Sequence, residues 1–375
     1  MNKIYLFTAA FAVMASLSGC SDTELASIDT AQEKTPIGFH TVGSQMSSRA
    51  TIINSSNDLK SFNVYAFKND NGTDGALFMG TEDKRAGTGG VNISYNGGKW
   101  NYTTSAELKY WPTDALNFYA VSPVLDPNFL TWQITPNTKE IHYMSGDEYG
   151  DGTFPYIDVM YAIATDKRKA DNGGTVKLQF KHITSQVVFM AKKLLPNMVV
   201  EIKSIKLHNF ETSSVFTIPK NGTDPQQNSW SHNPLTNNNG FAVINMGDDD
   251  PKITISTEAT DISSDKPMFL IPQKLDAWDT SHDIATANTN KESYLSIECK
   301  ISINGFYYRG SESGYETLYV PFEADWEPGK RYVYTLIFGG GYDENGKAIL
   351  QPINFDATVE DWPTDGNSTK SDIDL

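Results

Sequence analysis

The sequence predicts an all-β protein, and three observations support this fold class. Short runs that alternate apolar and polar residues recur along the chain, and they are rich in β-branched and aromatic side chains. Turn-forming Gly, Asn, Asp or Pro flank each run, and Asn304-Gly305 between two alternating runs is the clearest hairpin signal. The sequence contains no long amphipathic helix that could cover a parallel sheet, so antiparallel β-sandwiches are expected.

The predicted strands are short and follow one another almost to the end of the chain. Residues 116–121 form a denser apolar run than residues 62–67, and Pro112 and Pro123 bracket it. The full set of runs covers residues 62–67, 116–121, 178–180, 186–190, 200–207, 252–256, 268–271, 294–303, 305–308, 331–338 and 353–359.

The first residues have the pattern of an export signal. Residues 4–17 are apolar or small, a stretch of signal-core length that is too short to span a bilayer. The stretch leads into Ser18-Gly19-Cys20, the small-small-Cys pattern of a lipoprotein cleavage site. We therefore expect residues 1–19 to be removed and Cys20 to carry acyl chains such as palmitate, which anchor the protein to a membrane. An ordinary signal peptide that contains a cysteine is the alternative.

Charge and cysteine content exclude several function classes. The formal net charge is −16 at pH 7, which disfavours binding to nucleic acid and to anionic lipid surfaces. The chain has 2 cysteines, Cys20 and Cys299, so lipidation of the first leaves no pair for an intrachain disulfide. Cys299 lies in the alternating run 294–303, which indicates a buried strand residue rather than a nucleophile.

Length and composition indicate two domains behind a tether. Residues 20–34 are small and polar, which is typical of a flexible linker. The polar and charged stretch 166–174 is the best candidate for a domain boundary. We therefore expect an N-terminal domain over residues 35–174 and a C-terminal domain over residues 175–375.

The sequence shows no catalytic or cofactor-binding constellation. No nucleophile elbow, phosphate-binding loop or zinc-protease motif occurs. The acidic stretches 146–152 and 248–250 lack the spacing of an EF-hand loop and indicate solvated turns. The histidines are scattered without metal-ligand spacing on one strand face: His40, His142, His182, His208, His232 and His282. We expect neither enzymatic activity nor a bound metal or cofactor.

A set of segments recurs in order along the chain: residues 48–51, 59–67, 110–112 with 116–123, 178–182, 270–273, 326–334 and 359–362. Taken together, these segments resemble the fimbrillin family of Bacteroidota, the subunits of pili that are assembled from lipoprotein precursors. The resemblance implies two transthyretin-like Greek-key β-sandwich domains in tandem, the second opening near residues 180–182. Acidic residues just after Cys20 resemble the tag that sends such lipoproteins to the outer face of the outer membrane.

The resemblance also implies a mode of assembly. In pilus-forming members, an extracellular protease cuts after an arginine near the N-terminus and thereby removes the lipid and the first strand. The groove that opens has unpaired backbone groups, and a strand from a neighbouring subunit fills it. The partners would be other pilin subunits, the outer membrane through the lipid, and a host or bacterial surface ligand.

Each part of this mechanism has a candidate in the sequence. Residues 35–42 would be the removable strand, and the Arg49–Ala50 bond would be the cleavage site. Without the resemblance, Arg49 would be interpreted as an ordinary exposed arginine. The strand residues expected in the groove are Ile37, Phe39 and Val42.

The last alternating run is the candidate donor strand, with Ile353, Phe355 and Val359 as its apolar residues. The tail after Trp362 is polar and poor in β-forming residues, whereas a stalk subunit needs an apolar donor segment. Either the strand at 353–359 is released, or the chain is a tip or anchor subunit. Both alternatives stay open.

A glycan-binding surface lipoprotein of the outer membrane is the alternative function. Aromatic residues make up 12% of the chain, and exposed Trp or Tyr side chains can stack on sugar faces. Trp132, Trp230 and Trp278 lie in polar, loop-like contexts and are the candidates for such a platform. The tryptophans expected to pack the cores and edges instead are Trp100, Trp111, Trp326 and Trp362.

Overall fold

Strands dominate the part of the chain that the structure describes, which confirms the predicted all-β class. This computed structural model describes residues 34–42, 59–81, 89–124, 130–145, 158–220, 224–232, 241–247, 249–263, 268–339, 345 and 354–361. Within these ranges the helical elements are α1 (Ile284–Asn290) and the 3₁₀ turns Ser105–Glu107, Asp171–Gly174 and Gln227–Ser229. The strands are β1 (Gly38–Val42), β2 (Ser61–Asp70), β3 (Thr73–Met79), β4 (Val91–Asn96), β5 (Lys99–Tyr102), β6 (Leu116–Ser122), β7 (Leu130–Ile134), β8 (Lys139–Met144), β9 (Met160–Lys167), β10 (Thr175–Gln179), β11 (Lys181–His182), β12 (Ser185–Lys193), β13 (Met198–His208), β14 (Ser213–Thr217), β15 (Trp230–Ser231), β16 (Phe241–Asn245), β17 (Ile253–Thr254), β18 (Thr260–Asp261), β19 (Met268–Leu270), β20 (Lys274–Leu275), β21 (Tyr294–Ile303), β22 (Phe306–Arg309), β23 (Glu316–Pro321), β24 (Ala324–Asp325), β25 (Lys330–Phe338) and β26 (Asn354–Asp361).

A seven-stranded antiparallel sheet stands at the centre of the N-terminal half. Its order is β11-β9-β6-β2-β4-β5, and β3 also pairs with β2. Successive side chains of a strand point to opposite faces of a sheet. In β2, Phe62 and Val64 therefore enter one hydrophobic core, while Tyr65 and Phe67 enter the other. The sheet needs a covering layer on each face.

The two covering layers come from distant parts of the chain. On one face, β1 and β10 form a parallel two-stranded sheet whose apolar side chains share a core with Phe62. On the other face lies the four-stranded sheet β15-β14-β8-β7. In that sheet β14 pairs with β8 through Phe216 and Ile141, which lie on opposite sides of residue 174. The division of the chain near residue 174 stays a prediction, and strands before and after it pair with one another.

A second sandwich is formed by the C-terminal half. One of its sheets has the order β18-β12-β25-β26 with β19 also on β12, and the other has the order β16-β13-β21-β22 with β17 and β23 alongside. Alternate residues of both sheets, such as Phe189, Ile202 and Leu336, fill one shared core. β12 pairs with β25 in parallel, and β26 closes that sheet as its antiparallel edge strand.

The hairpin predicted at Asn304-Gly305 is confirmed between β21 and β22. Both turn residues have positive φ, 51° at Asn304 and 82° at Gly305. Only Gly, and to a lesser degree Asn and Asp, adopt such angles at low cost, which explains the residue pair at this turn.

Cys299 lies on β21 and is fully buried in the core of the second sandwich. Burial is the main cause that raises the pKa of its thiol to about 12. Because the thiolate is the reactive form, this cysteine is inert in the native protein, in agreement with the strand interpretation.

The burial of Cys299 has a direct chemical test. In a Cys20→Ala chain, a thiol reagent at neutral pH should label nothing until denaturant is added, since the native pKa keeps the buried sulfur protonated. Mass spectrometry of the labelled protein measures the outcome. Full labelling of the native chain at the rate seen in denaturant would contradict the assigned burial.

Candidate functional site: the first strand and its groove

β1 lies at an edge of the fold and pairs with a single strand among the described residues. It runs parallel to β10 from the pair Gly38–Thr175 to the pair Val42–Gln179. Just before β1, the amide of Ile37 donates to the carbonyl of Lys109 at 2.9 Å, within an isolated bridge between Pro36 and Tyr110. The strand is therefore neither central in a sheet nor free in solvent.

One face of this strand closes the N-terminal core. Ile37, Phe39 and Thr41 are 1%, 8% and 7% exposed, whereas His40 between them is exposed. This period of two is that of a strand with one buried face. Burying an apolar side chain of this size contributes about 1.5–3 kcal/mol, so the inward face adds substantially to the backbone pairing that holds the strand.

Phe39 occupies an aromatic pocket on the seven-stranded sheet. Its ring centroid lies 5.8 Å from that of Phe62, 6.0 Å from that of Tyr102 and 6.2 Å from that of Phe118. The contacts with Phe62 and Phe118 are edge-to-face, an arrangement that aromatic rings prefer. The pocket thus selects an aromatic side chain at this position of the strand.

Two polar contacts fix the register of β1. Trp100 Nε1 donates to Thr41 Oγ1 at 3.1 Å, and the Tyr102 hydroxyl donates to the carbonyl of Ile37 at 3.1 Å. Burial raises the pKa of the Tyr102 hydroxyl, so it keeps its proton and remains a donor. Thr41 was not among the groove residues predicted from the sequence, although strict alternation from Ile37 and Phe39 points to it. Val42 ends the strand opposite Gln179, and its side chain lies outside what the structure describes.

β10 forms the other half of the groove. Its Val176 and Leu178 side chains are buried in the same core as Ile37 and Phe39. The chain enters β10 through Gly174, whose carbonyl accepts a 2.7 Å hydrogen bond from Trp111 Nε1. Gly174 has φ +86°, and a Cβ there would lie 3.0 Å from Thr35 Cγ2, so the turn requires glycine.

The other residues predicted for assembly are placed only in part. Cys20, Arg49, Ala50 and Ile353 lie outside the described residues. Phe355 and Val359 lie in β26, where their backbones pair with Leu336 and Tyr332 of β25.

The prediction of an exposed tryptophan platform is wrong. Trp132, Trp230 and Trp278 are buried, and their indole N–H groups donate to Tyr65 Oη, the Ile183 carbonyl and the His282 carbonyl. Strands distant in sequence cover Trp132 and Trp230, whereas Trp278 packs against Ala287 of the nearby helix α1 and Tyr294 of β21. Among the tryptophans expected in cores and edges, Trp326 is buried, Trp100 and Trp111 pack half-buried against the N-terminal core, and Trp362 lies outside the described residues.

Several histidines in the described part of the chain each contact one acidic side chain. His182 contacts Asp158 at 2.8 Å, and His232 contacts Glu211 at 2.7 Å. In the described part of the chain, no group of three or more His, Cys, Asp or Glu side chains is placed to hold a metal ion. Within the same residues, helices of the length and apolarity needed to cross a bilayer do not occur.

Substitution of Phe39 measures how much its packing in the groove stabilises the protein. Phe39→Ala should lower the free energy of unfolding by about 3–5 kcal/mol, since it empties the aromatic pocket. His40→Ala, on the exposed face of the same strand, is the matched control and should change it by less than about 0.5 kcal/mol. Urea unfolding followed by tryptophan fluorescence measures both variants. Equal effects of the two would mean that the inward face does not hold the strand.

Comparisons with known proteins identify a family model that matches the chain and a solved structure of similar fold. A family model described as fimbrillin-like matches residues 48–362. A solved fimbrial protein from Bacteroides vulgatus is 15% identical, with a TM-score of 0.58 over 87% of this chain and 99% of that one. A C-terminally truncated tip fimbrial protein, Mfa3 from Porphyromonas gingivalis, is 9% identical, with a TM-score of 0.37 over 81% of this chain and 94% of that one. No curated protein gives a significant sequence match. Because the family model spans most of the sequence, this chain belongs to the fimbrillin-like family.

Proposed function

We propose that the protein is a structural, non-catalytic subunit of a cell-surface pilus. It is exported as a lipoprotein through Cys20 and polymerises by strand exchange once its first strand has been removed. The pilus in turn mediates adhesion to a host or bacterial surface. Membership of the fimbrillin-like family supports the role, and the edge position of β1 with its buried face is the observation that carries the mechanism.

Loss of β1 would leave a surface that is unstable on its own. β10 would lose its partner, and among the described strands it has no other. The pocket around Phe62, Tyr102 and Phe118 would face solvent. An unpaired strand beside an apolar slot is a strong template for strand addition. Because the slot and the donor are different surfaces, the contact repeats head to tail and builds a filament.

Arg49 is the proposed cleavage residue because of its position in the sequence. It follows the last residue of β1, Val42, and precedes β2, which begins at Ser61. A cut after Arg49 would separate β1 and the lipid anchor from everything that follows. The remaining chain would then begin at Ala50 with its groove open.

The C-terminal strand region repeats the sequence of the first strand, which supports it as the donor. Pro36-Ile37-Gly38-Phe39 in the first strand region corresponds to Pro352-Ile353-Asn354-Phe355 in the last. In this register Ile353, Phe355 and Ala357 take the places of Ile37, Phe39 and Thr41. β26 is the edge strand of its sheet and pairs only with β25 among the described strands. Its release would therefore break the backbone hydrogen bonds to β25 and to no other described strand.

In the same register, two residues of the donor would fit the groove less well than the residues of the first strand. Asn354 takes the place of Gly38, where a Cβ would lie 3.2 Å from Thr175 Oγ1. Ala357 takes the place of Thr41 and gives up the hydrogen bond from Trp100. The first strand therefore fits its own groove better than a donor does, which keeps the uncut subunit monomeric.

Proteolysis tests the proposed function directly. An Arg-specific protease should produce a chain that begins at Ala50 and forms filaments, as seen by N-terminal sequencing and electron microscopy. Arg49→Gln should stay uncut at that bond and remain monomeric, whereas Arg85→Gln, as the matched control, should assemble like the wild type. A chain that is cut after Arg49 and still stays monomeric would contradict the proposal.

Substitutions in β26 test the donor register. Phe355→Ala in the cut chain should raise the concentration needed for assembly about 100-fold, since losing a buried ring costs about 3 kcal/mol. Asp356→Ala, at the position that corresponds to exposed His40, should assemble normally. Asn354→Gly should assemble at a lower concentration because it removes the close approach to Thr175. Light scattering measures all three, and equal behaviour of Phe355→Ala and Asp356→Ala would rule out this register.

A further inference from the structure

A buried ion pair joins the two sheets that enclose the second core of the N-terminal half. Lys139 on β8 lies with its Nζ 2.9 Å from Oδ2 of Asp74 on β3, and their side chains are 12% and 7% exposed. The ammonium also lies over two rings, 5.0 Å from the centroid of Phe67 and 4.6 Å from that of Tyr119. The pair is thus shielded from most of the solvent.

Each carboxylate oxygen of Asp74 accepts a further hydrogen bond. Asn117 Nδ2 donates to Oδ1 at 2.8 Å, and the Tyr119 hydroxyl donates to Oδ2 at 2.8 Å. Burial, followed by the neighbouring carboxylate, raises the pKa of Tyr119, so the hydroxyl keeps its proton. The carbonyls of Thr135 and Pro136 accept the other protons of the Lys139 ammonium and hold its nitrogen in place.

This arrangement has the parts of an acyl-transfer site, and we propose that Lys139 and Asp74 form an intramolecular isopeptide bond. Lys139 supplies the nucleophile. The Asn117 amide would stabilise negative charge on Oδ1 of the tetrahedral intermediate, and Tyr119 would protonate Oδ2 as it leaves.

The reaction balances without a co-reactant. A proton first passes from the Lys139 ammonium to Asp74, which yields a neutral amine and a carboxylic acid. The Nζ–Cγ bond then forms and the Cγ–Oδ2 bond breaks. Oδ2 leaves as one water molecule, which carries two of the three protons of the former ammonium. Tyr119 donates a proton to Oδ2 during this step and then takes one back, so its hydroxyl is unchanged at the end. The product is a neutral amide.

Low solvent exposure raises the free energy of the charged pair relative to the amide product. Holding two charges in a poorly solvated site is costly, and a neutral amide removes that cost. Fixed contact between amine and carboxyl group replaces a bimolecular encounter, which lowers the barrier further. The exposed pair Lys68–Asp114 has the same 2.9 Å separation at 47% and 52% exposure and should not react.

The bond would lock the fold against pulling forces. It would link β3, which pairs with β2 in the seven-stranded sheet, to β8 in the four-stranded sheet. A filament subunit under tension would gain a covalent clamp between these layers. The inference stands on the geometry around Asp74 and does not depend on strand exchange.

Peptide mapping of the uncut full-length chain tests the proposal. After denaturation and digestion, tandem mass spectrometry should find the peptides of Asp74 and Lys139 joined with the loss of one water. The branched peptide should be absent in Asp74→Ala and Lys139→Met and present in the matched control Asp114→Ala. Tyr119→Phe should keep the fold and slow bond formation roughly 100-fold after refolding.

Three outcomes would overturn the proposal. The first is a natively folded wild-type chain that yields unlinked peptides. The second is a water loss confined to the Asp74 peptide, which would report ring closure with the nitrogen of Gly75. The third is a link from Lys139 to Asn117 with loss of ammonia. Bond formation in Tyr119→Phe at the wild-type rate would remove the assigned acid.

Discussion

The packing of β1 against the seven-stranded sheet closes the first core of the N-terminal half. Ile37, Phe39 and Thr41 complete a core that the sheet cannot close by itself. The backbone of the strand is nevertheless bound mainly along one edge, to β10. A large apolar contribution combined with backbone pairing along one edge is what our proposal requires of a strand that fits tightly and can be replaced as a unit.

The strand that we propose is replaced, β1, and the strand that we propose as donor, β26, lie in different sandwiches. β1 and β26 are both edge strands among the described residues, and their sequence regions share the order Pro-Ile-x-Phe. The proposed exchange of one for the other would leave the central strands β2, β6 and β25 in place. It would need local opening at two edges only, and strand edges open more easily than the core of a folded protein.

Local patterns in the sequence account for much of the fold, and nonlocal contacts account for what they missed. Alternation predicted the all-β class, and the Asn304-Gly305 hairpin followed from turn chemistry. Helix α1 was missed because seven residues are too few for a periodic signal, although Asp283 caps it through the amide of Thr286. Trp132 appeared exposed because its cover comes from strands distant in sequence. The contact of Asp74 with Lys139 likewise has no local signature.

Binding of a separate peptide to the groove of β1 tests directly whether the first strand can be replaced. A dye-labelled peptide with the sequence of residues 352–361 is titrated into the chain before and after cleavage at Arg49, with fluorescence anisotropy as the readout. If β1 is replaceable, the cut chain releases its N-terminal fragment and binds the peptide, whereas the uncut chain does not bind the peptide. A cut chain that keeps its fragment and leaves the peptide free would contradict it.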